Sequence, residues 1–302
     1  MSLVVNHNMM AANTARNLNA HYGRLATSTE RLSTGLRVNS AADDAAGLAI
    51  RELQRADIAT LQQGARNAND AISMIQTADG ALGVIDEKLT RMKELAEQAA
   101  TGTYDSTQRL MIESEYQAMA SEITRIANAT DFNGIKLLDG NLSSSVHDGS
   151  GMTSTGKLKV HFGTGNDSAE DYYYITIGNC TASALGIGNQ AIDDATGELR
   201  EGGTVSTQEA AQKTLVALTN AIVSKDKIRA HLGAMQNRLE NTITNLNTQA
   251  ENLQAAESRI SDVDVATEMT EFVRNQILSQ SAVAMLSQAN SLPQMAMQLI
   301  GG

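Results

Sequence analysis

The chain contains no tryptophan, one proline and one cysteine among 302 residues, and only three Phe and six Tyr supply large rings. Each shortage excludes something. Without large aromatics, burial falls to Ala, Leu, Ile and Met, which suits helices packed side by side better than the core of a compact enzyme. A single proline removes the commonest helix breaker and permits long helices. The lone Cys180 excludes an intramolecular disulfide, so no oxidising compartment is implied. Positive charge is also short: 23 Lys and Arg face 34 Asp and Glu, a formal charge of −11. With no basic run, no nucleic-acid partner is expected. The opening MSLVVNHNMMAANTA has neither a basic n-region nor an unbroken apolar stretch, so a Sec-type signal peptide is not expected. Those 15 residues lack Asp, Glu, Lys and Arg, and so do the 28 residues from Asn275 to Gly302.

What is present is heptad periodicity. Val4, Ala11, Leu18, Leu25 and Leu32 fall seven apart. Ala71, Ala78, Ile85, Met92 and Ala99 do the same, interleaved with Ile75, Leu82, Leu89 and Ala96. A shorter run holds Ile112, Tyr116, Met119, Ile123 and Ile126, and a later one Leu232, Leu239, Leu246, Leu253 and Ile260. Such repeats describe helices that pack along their length. Between about 130 and 205 the composition shifts to Gly, Ser, Asn and Asp. There DFNGIKLLDG, GKLKVHFG and DYYYITIGN predict short antiparallel strands and turns. The fold class is therefore mainly α: a long antiparallel coiled-coil bundle with a small antiparallel β-hairpin insert.

Three capping boxes are predicted, at Ser40 with Asp43, Ser206 with Glu209 and Ser261 with Asp264. They divide the chain into arms at 1–40 and 261–302, a helical body at 41–140 and 205–260, and a β-rich outer segment at 141–204. The arms differ in sign, +3 from Arg16, Arg24, Arg31 and Arg37 against Glu30, and −3 from Asp262, Asp264, Glu268 and Glu271 against Arg274. If they pair antiparallel, Arg31 and Arg37 face the Asp262, Asp264, Glu268 and Glu271 stretch. The uncharged tail carries its own seam at Leu278, Ala282, Met285, Ala289, Leu292, Ala296 and Leu299. Eleven Ser, Asn and Gln residues in the same 28 argue against a membrane span. Pro293 should kink or end the last helix unless its freed carbonyl finds another donor.

No catalytic or metal constellation emerges. The five His residues have no ligand spacing. Cys180 has no nearby His and reads as a small buried residue. GIGNQA, Gly186 to Ala191, lacks the flanking strand and helix a dinucleotide site requires and reads as a loop. Asp43, Asp44, Asp262 and Asp264 read as first-turn helix acids rather than cation ligands. Neither an enzyme nor a cofactor is expected.

The stretch RLSTGLRVNSAADDAAGLAI, residues 31–50, closely resembles bacterial flagellin. So, in order and spacing, do ADGAL (78–82), LTRMKELAEQAATGT (89–103), ITRIANATDFNGIKLLDG (123–140), the long segment 233–269 and the ending SQANSLPQMAMQLI. The resemblance covers about 1–142 and 205–302. The middle is short, as in a flagellin without large outer domains. The resemblance implies a non-enzymatic subunit of the extracellular flagellar filament, a helical homopolymer exported unfolded through the type III route. It implies a dedicated export chaperone at about 262–302, and contacts with the filament cap and hook–filament junction proteins. It further implies a surface for Toll-like receptor 5 at Arg91, Leu95 and Glu115. The polymerisation seam would be Val4, Ala11, Leu18, Leu25, Leu32, Leu278, Ala282, Met285, Ala289, Leu292 and Leu299. A hook–filament junction protein of the same plan is the nearest alternative. A signalling coiled coil would need a membrane span or input domain, and neither is visible.

Overall fold

A computed structural model describes residues 8–150, 155–168, 170–188 and 202–300. Among these, the backbone forms helices α1 (Met9–Thr34), α2 (Ala45–Ala100), α3 (Ser106–Ala129), α4 (Gln208–Ser261) and α5 (Val265–Ile300). Between α3 and α4 lie β1 (Asp131–Phe132), β2 (Ile135–Lys136), β3 (His147–Asp148), β4 (Thr155–Gly156), β5 (Leu158–His161) and β6 (Tyr172–Ile175), paired antiparallel in that order. The fold is mainly α with small antiparallel hairpins. By contacts the chain forms two units, Met1–Ile58 with Glu251–Gly302, and Ala59–Ala250.

The core of the Ala59–Ala250 unit follows directly from the heptads. All nine residues of the α2 run, from Ala71 to Ala99, are buried. They meet Ile112, Tyr116 and Ile123 of α3 and Leu218, Leu232 and Leu239 of α4 in one apolar cluster. Two ion pairs fix α4 antiparallel to α2. Arg229 Nε donates to Asp79 at 2.7 Å, and Lys225 Nζ reaches Asp86 at 2.5 Å and Asp226 at 2.7 Å. Lys225 is almost fully buried; burial disfavours its charge, but hydrogen bonds to Asp226 and Asp86 outweigh that and raise its pKa.

Hairpins and loops close this core. Asn133 and Gly134 both take positive φ, 52° and 81°, which gives the β1–β2 hairpin its tight two-residue turn. The β5–β6 hairpin docks on α2 through its end. Asn67 donates to the His161 carbonyl at 2.9 Å, and Phe162 packs on Tyr173 with ring centroids 4.7 Å apart and planes tilted by 59°. Approach is so close at Gly64 that a Cβ there would sit 2.0 Å from the Phe162 carbonyl oxygen. Cys180 is buried, and burial pushes its thiol pKa up to about 12, as suits an inert packing residue. Gly186 and Gly188 lie in a loop, with Gly188 N donating to the Gly202 carbonyl at 2.9 Å; Asn189, Gln190 and Ala191 of the same motif lie outside the described residues.

In the other unit α1 and α5 pack antiparallel along their lengths. Asn8 bonds to the Ala289 carbonyl, Arg31 pairs with Glu268, and Leu36 bridges Asp262 in an antiparallel step. Two backbone hydrogen bonds stitch the break after α1 to the break after α4: Arg37 N to the Ser261 carbonyl, and Val263 N to the Gly35 carbonyl at 3.0 Å. Gly35, at φ 73°, is the left-handed residue that ends α1.

The three helix starts differ from the predicted boxes. Asp44, not Ser40, receives the amides of Ala46 and Gly47 and starts α2. Ser40 instead forms a turn in which its amide and hydroxyl both donate to Asp43. Likewise Asp264 receives Ala266 and Thr267, whereas Ser261 is the last residue of α4 and its buried hydroxyl has no partner among the described residues. At α4 the cap is Thr207, which accepts from Ala210, one residue past Ser206. A carboxylate outbids the serine for the amides because it accepts more strongly and favours the positive helix end. Pro293 does not end α5, which continues to Ile300. Proline withholds an N–H from the carbonyl four residues back, that of Ala289, and this is the carbonyl that accepts Asn8 Nδ2 at 2.7 Å.

Candidate assembly interface

Helix α5 turns a mixed stripe toward α1 and leaves much of its apolar surface in solvent. The buried positions are Asn275, Ser279 and Ala289, flanked by partly buried Phe272, Ala282 and Leu286. These recur at heptad spacing, with polar residues at two of the three best-buried positions. Ser28 of α1 is buried too. Val265, Met269, Val273 and Ile277 form an exposed row at intervals of four, Leu278 and Met285 are exposed on another flank, and Val283 and Met295 add to the uncovered area. A helix apolar on all sides belongs in the interior of something larger than this pair. Open grooves flank the pair, one lined by Tyr22, Leu25, Gln276 and Val283, another by Arg24, Ser28, Glu268 and Asn275.

The residues proposed as a seam fall into different places. Ala11, Leu18, Leu25 and Leu32 of α1 are partly covered, as is Ala282 of α5, and Ala289 is buried. Leu278 and Met285 instead point away from the pair, 39% and 58% exposed. Val4 lies outside the described residues, and Leu292, Ala296 and Leu299 are described for their backbone alone. The inner stripe of Asn275, Ser279 and Leu286 has a heptad signal, but its polar members hide it from a search for apolar repeats.

The charged residues are largely occupied close to home. Arg31 lies 3.6 Å from Glu268, the one ion pair between α1 and α5 among the described residues. Arg37 reaches the carbonyls of Arg259 and Ile260, at 3.4 and 2.8 Å, rather than a carboxylate. It thereby serves the exposed carbonyls at the end of α4. Asp262 accepts from Ser258 at 2.6 Å, Asp264 caps α5, and Glu271 pairs with Arg274 at 2.8 Å. Hydrogen bonds hold the Asp264 carboxyl below the usual carboxylate range, first from the Thr267 hydroxyl and then from the Thr267 and Ala266 amides. Asp43 is lowered in the same way by the Ser40 amide and hydroxyl. Buried Arg51 donates to the Val38 carbonyl at 2.8 Å and so ties the linker back to α2.

On the other unit, Arg91 and Glu115 are exposed and joined at 2.8 Å, with Glu94 at 3.0 Å completing the cluster. Leu95, grouped with them on sequence, is 1% exposed and belongs to the core. It sits three residues after Met92 and four before Ala99, on the buried stripe of α2, so it forms no part of that surface.

Comparison with known proteins places this architecture. A family model of the bacterial flagellin N-terminal helical region matches residues 5–143, and one of the flagellin C-terminal helical region matches residues 215–300. Flagellin FlaB2 of Treponema pallidum (strain Nichols) is 39% identical over 298 residues, covering 99% of this chain and 100% of that protein. Flagellin of Bacillus subtilis (strain 168) is 41% identical over 309 residues, covering 98% and 99%. Among solved structures, a Vibrio parahaemolyticus protein assigned to the flagellar hook-associated class has a similar fold, with TM-score 0.55 and 14% identity over 73% of this chain and 100% of that one. Helical ends that match across both family regions, and relatives that match from end to end, make this chain a short member of the bacterial flagellin family.

Proposed function

We propose that the α1–α5 pair is the part of this filament subunit that packs between copies. As a flagellin the chain is a structural protein that polymerises into the flagellar filament. The observation that carries the mechanism is the exposed apolar surface around α5, from Val265 to Met295. Both ends of the chain that form the pair are free of charge at their tips, so crowded copies meet there without like-charge repulsion. Burying the flanks of α5 against other copies supplies the driving force, and ordering of the arms is coupled to polymerisation.

The same reading extends to partners. An export chaperone would cover about 262–302 before assembly, shielding the exposed row of α5. The subunit would leave the cell unfolded, reach the extracellular filament under a cap protein, and join at its base to the hook–filament junction proteins. The arms are residues 1–40 and 261–302, the body 41–140 and 205–260, and the outer segment 141–204. A Toll-like receptor 5 surface would use Arg91 and Glu115, with Leu95 supporting them from beneath; charge reversal at both should abolish receptor activation by soluble monomer without changing its melting. A junction protein shares the fold but not the extent of sequence identity, which favours the filament subunit. The decisive experiment deletes 275–302. The truncated chain should keep a cooperatively melting Ala59–Ala250 unit yet form no filaments visible by electron microscopy, and filaments grown from it would contradict the mechanism.

A further inference from the structure

Asn8 makes two bonds that serve two different helices. Its Oδ1 accepts the amide of Ala11 at 3.0 Å and so caps the start of α1. Its Nδ2 donates to the carbonyl of Ala289 at 2.7 Å, a contact that spans 281 residues of sequence. The orientation of the amide is fixed by these partners. Turned over, it would set an NH2 against an N–H and an oxygen against an oxygen.

The Ala289 carbonyl is the one acceptor in this part of α5 that the helix itself cannot serve. Its usual partner would be the amide four residues on, and that residue is Pro293, which has none. Ala289 is 4% exposed, so water has little access to it either. A carbonyl vacated by the sole proline is thus filled by the side chain that opens the first helix. We infer that Asn8 is a positioning residue for assembly: Pro293 creates a single vacant acceptor on α5, and Asn8 reads it to set the register of α1 against α5.

The arrangement solves a specific problem. Heptad faces of small apolar residues tolerate a slip by one repeat, since Ala282 and Ala289 present the same methyl. The Arg31–Glu268 pair holds the far end of the helices, but at 3.6 Å and partly exposed it discriminates weakly. A slip at the uncharged tip would leave the Ala289 carbonyl without a donor, a penalty that only the observed register avoids. This rests on the proposed assembly role of the pair, and the two are separated by the controls below.

The test is a cycle of substitutions in the full chain, scored by the threshold concentration for polymerisation. Asn8→Asp and Asn8→Ser both keep a capping oxygen. Asp cannot donate, and Ser is too short to span to the carbonyl. In the natural background each should raise the threshold roughly tenfold, the scale of one buried acceptor left unpaired. Pro293→Ala returns an amide to Ala289. In that background the same two substitutions should change the threshold less than about twofold, the helix now satisfying its own acceptor. Equal effects in both backgrounds, or no effect in either, overturn the inference. A charge effect of Asp alone would persist after Pro293→Ala and be absent for Ser, which also counts against it. Failure of the unsubstituted chain to polymerise would refute the assembly reading itself, a result distinct from either.

Discussion

Three substitutions on α5, Ile277→Gln, Val283→Gln and Met285→Gln, should raise the polymerisation threshold without unfolding the chain. The side chains are 56%, 47% and 58% exposed and point in different directions around the helix. Fully burying an aliphatic side chain of this size is worth ~1.5–3 kcal/mol, so the half still in water leaves about 1 kcal/mol for each residue to gain on assembly. Gln keeps helix propensity close to that of the residues replaced and removes this gain. Together the three should cost about 3 kcal/mol per subunit, which is roughly a hundredfold in threshold concentration. Sedimentation of polymer over a series of total concentrations measures it. None of the three lies in the Ala59–Ala250 unit, so the melting of that unit, followed by circular dichroism, should be unchanged. A triple variant that polymerises at the natural threshold would show that these flanks stay in solvent in the filament, and the reasoning would fail.

Gly64→Ala should destabilise the Ala59–Ala250 unit by ~1–3 kcal/mol, since its Cβ would press into the Phe162 carbonyl. Gly80→Ala in the same helix, where nothing lies within 4 Å, should stabilise by up to about 1 kcal/mol, and thermal melting separates the two. Acid should loosen the helix breaks. Asp43 and Asp264 have folded pKa values below the ordinary aspartate value of 3.8, so their contribution is present above that pH and is lost as pH falls through the lower folded values. Asp264→Asn should therefore melt lower than the natural chain at neutral pH, with the gap closing as the pH is taken well below 3.8; a gap independent of pH would refute this account.

The body was legible in sequence because one face of α2 carries an unbroken rule. Every heptad position from Ala71 to Ala99 is buried, and no polar residue interrupts it. Leu95, which the family resemblance assigns to a receptor surface, obeys the same rule: its spacing to Met92 and Ala99 puts it in the core. The caps lie four residues beyond Ser40 and three beyond Ser261 because S-x-x-D admits two readings. The serine can cap while the acid reaches back, or the acid and its neighbour can cap while the serine ends what came before. Only the competition for amides decides, and it goes to Asp44 and Asp264. The hairpins were visible from Asn133-Gly134 and the Tyr172–Ile175 run, while the docking of the β5–β6 end on Gly64 needs three dimensions.

For α5 the difficulty runs deeper, because its sequence contains two usable heptad registers. One runs through Leu278, Met285, Leu292 and Leu299 and is apolar throughout; the other runs through Asn275, Ala282 and Ala289, with Ser279 and Leu286 interleaved. On apolar content alone the first should win the intramolecular partner. The chain gives α1 the second. Small and polar groups there let α1 approach, and Asn275 and Ser279 satisfy themselves on carbonyls of their own helix. That choice withholds the stronger register from the monomer. A subunit that spent Leu278 and Met285 on its own α1 would leave the polar stripe outward and have little to offer another copy. By pairing the poorer face within the chain, the sequence keeps the larger apolar area for contacts that only a polymer can complete.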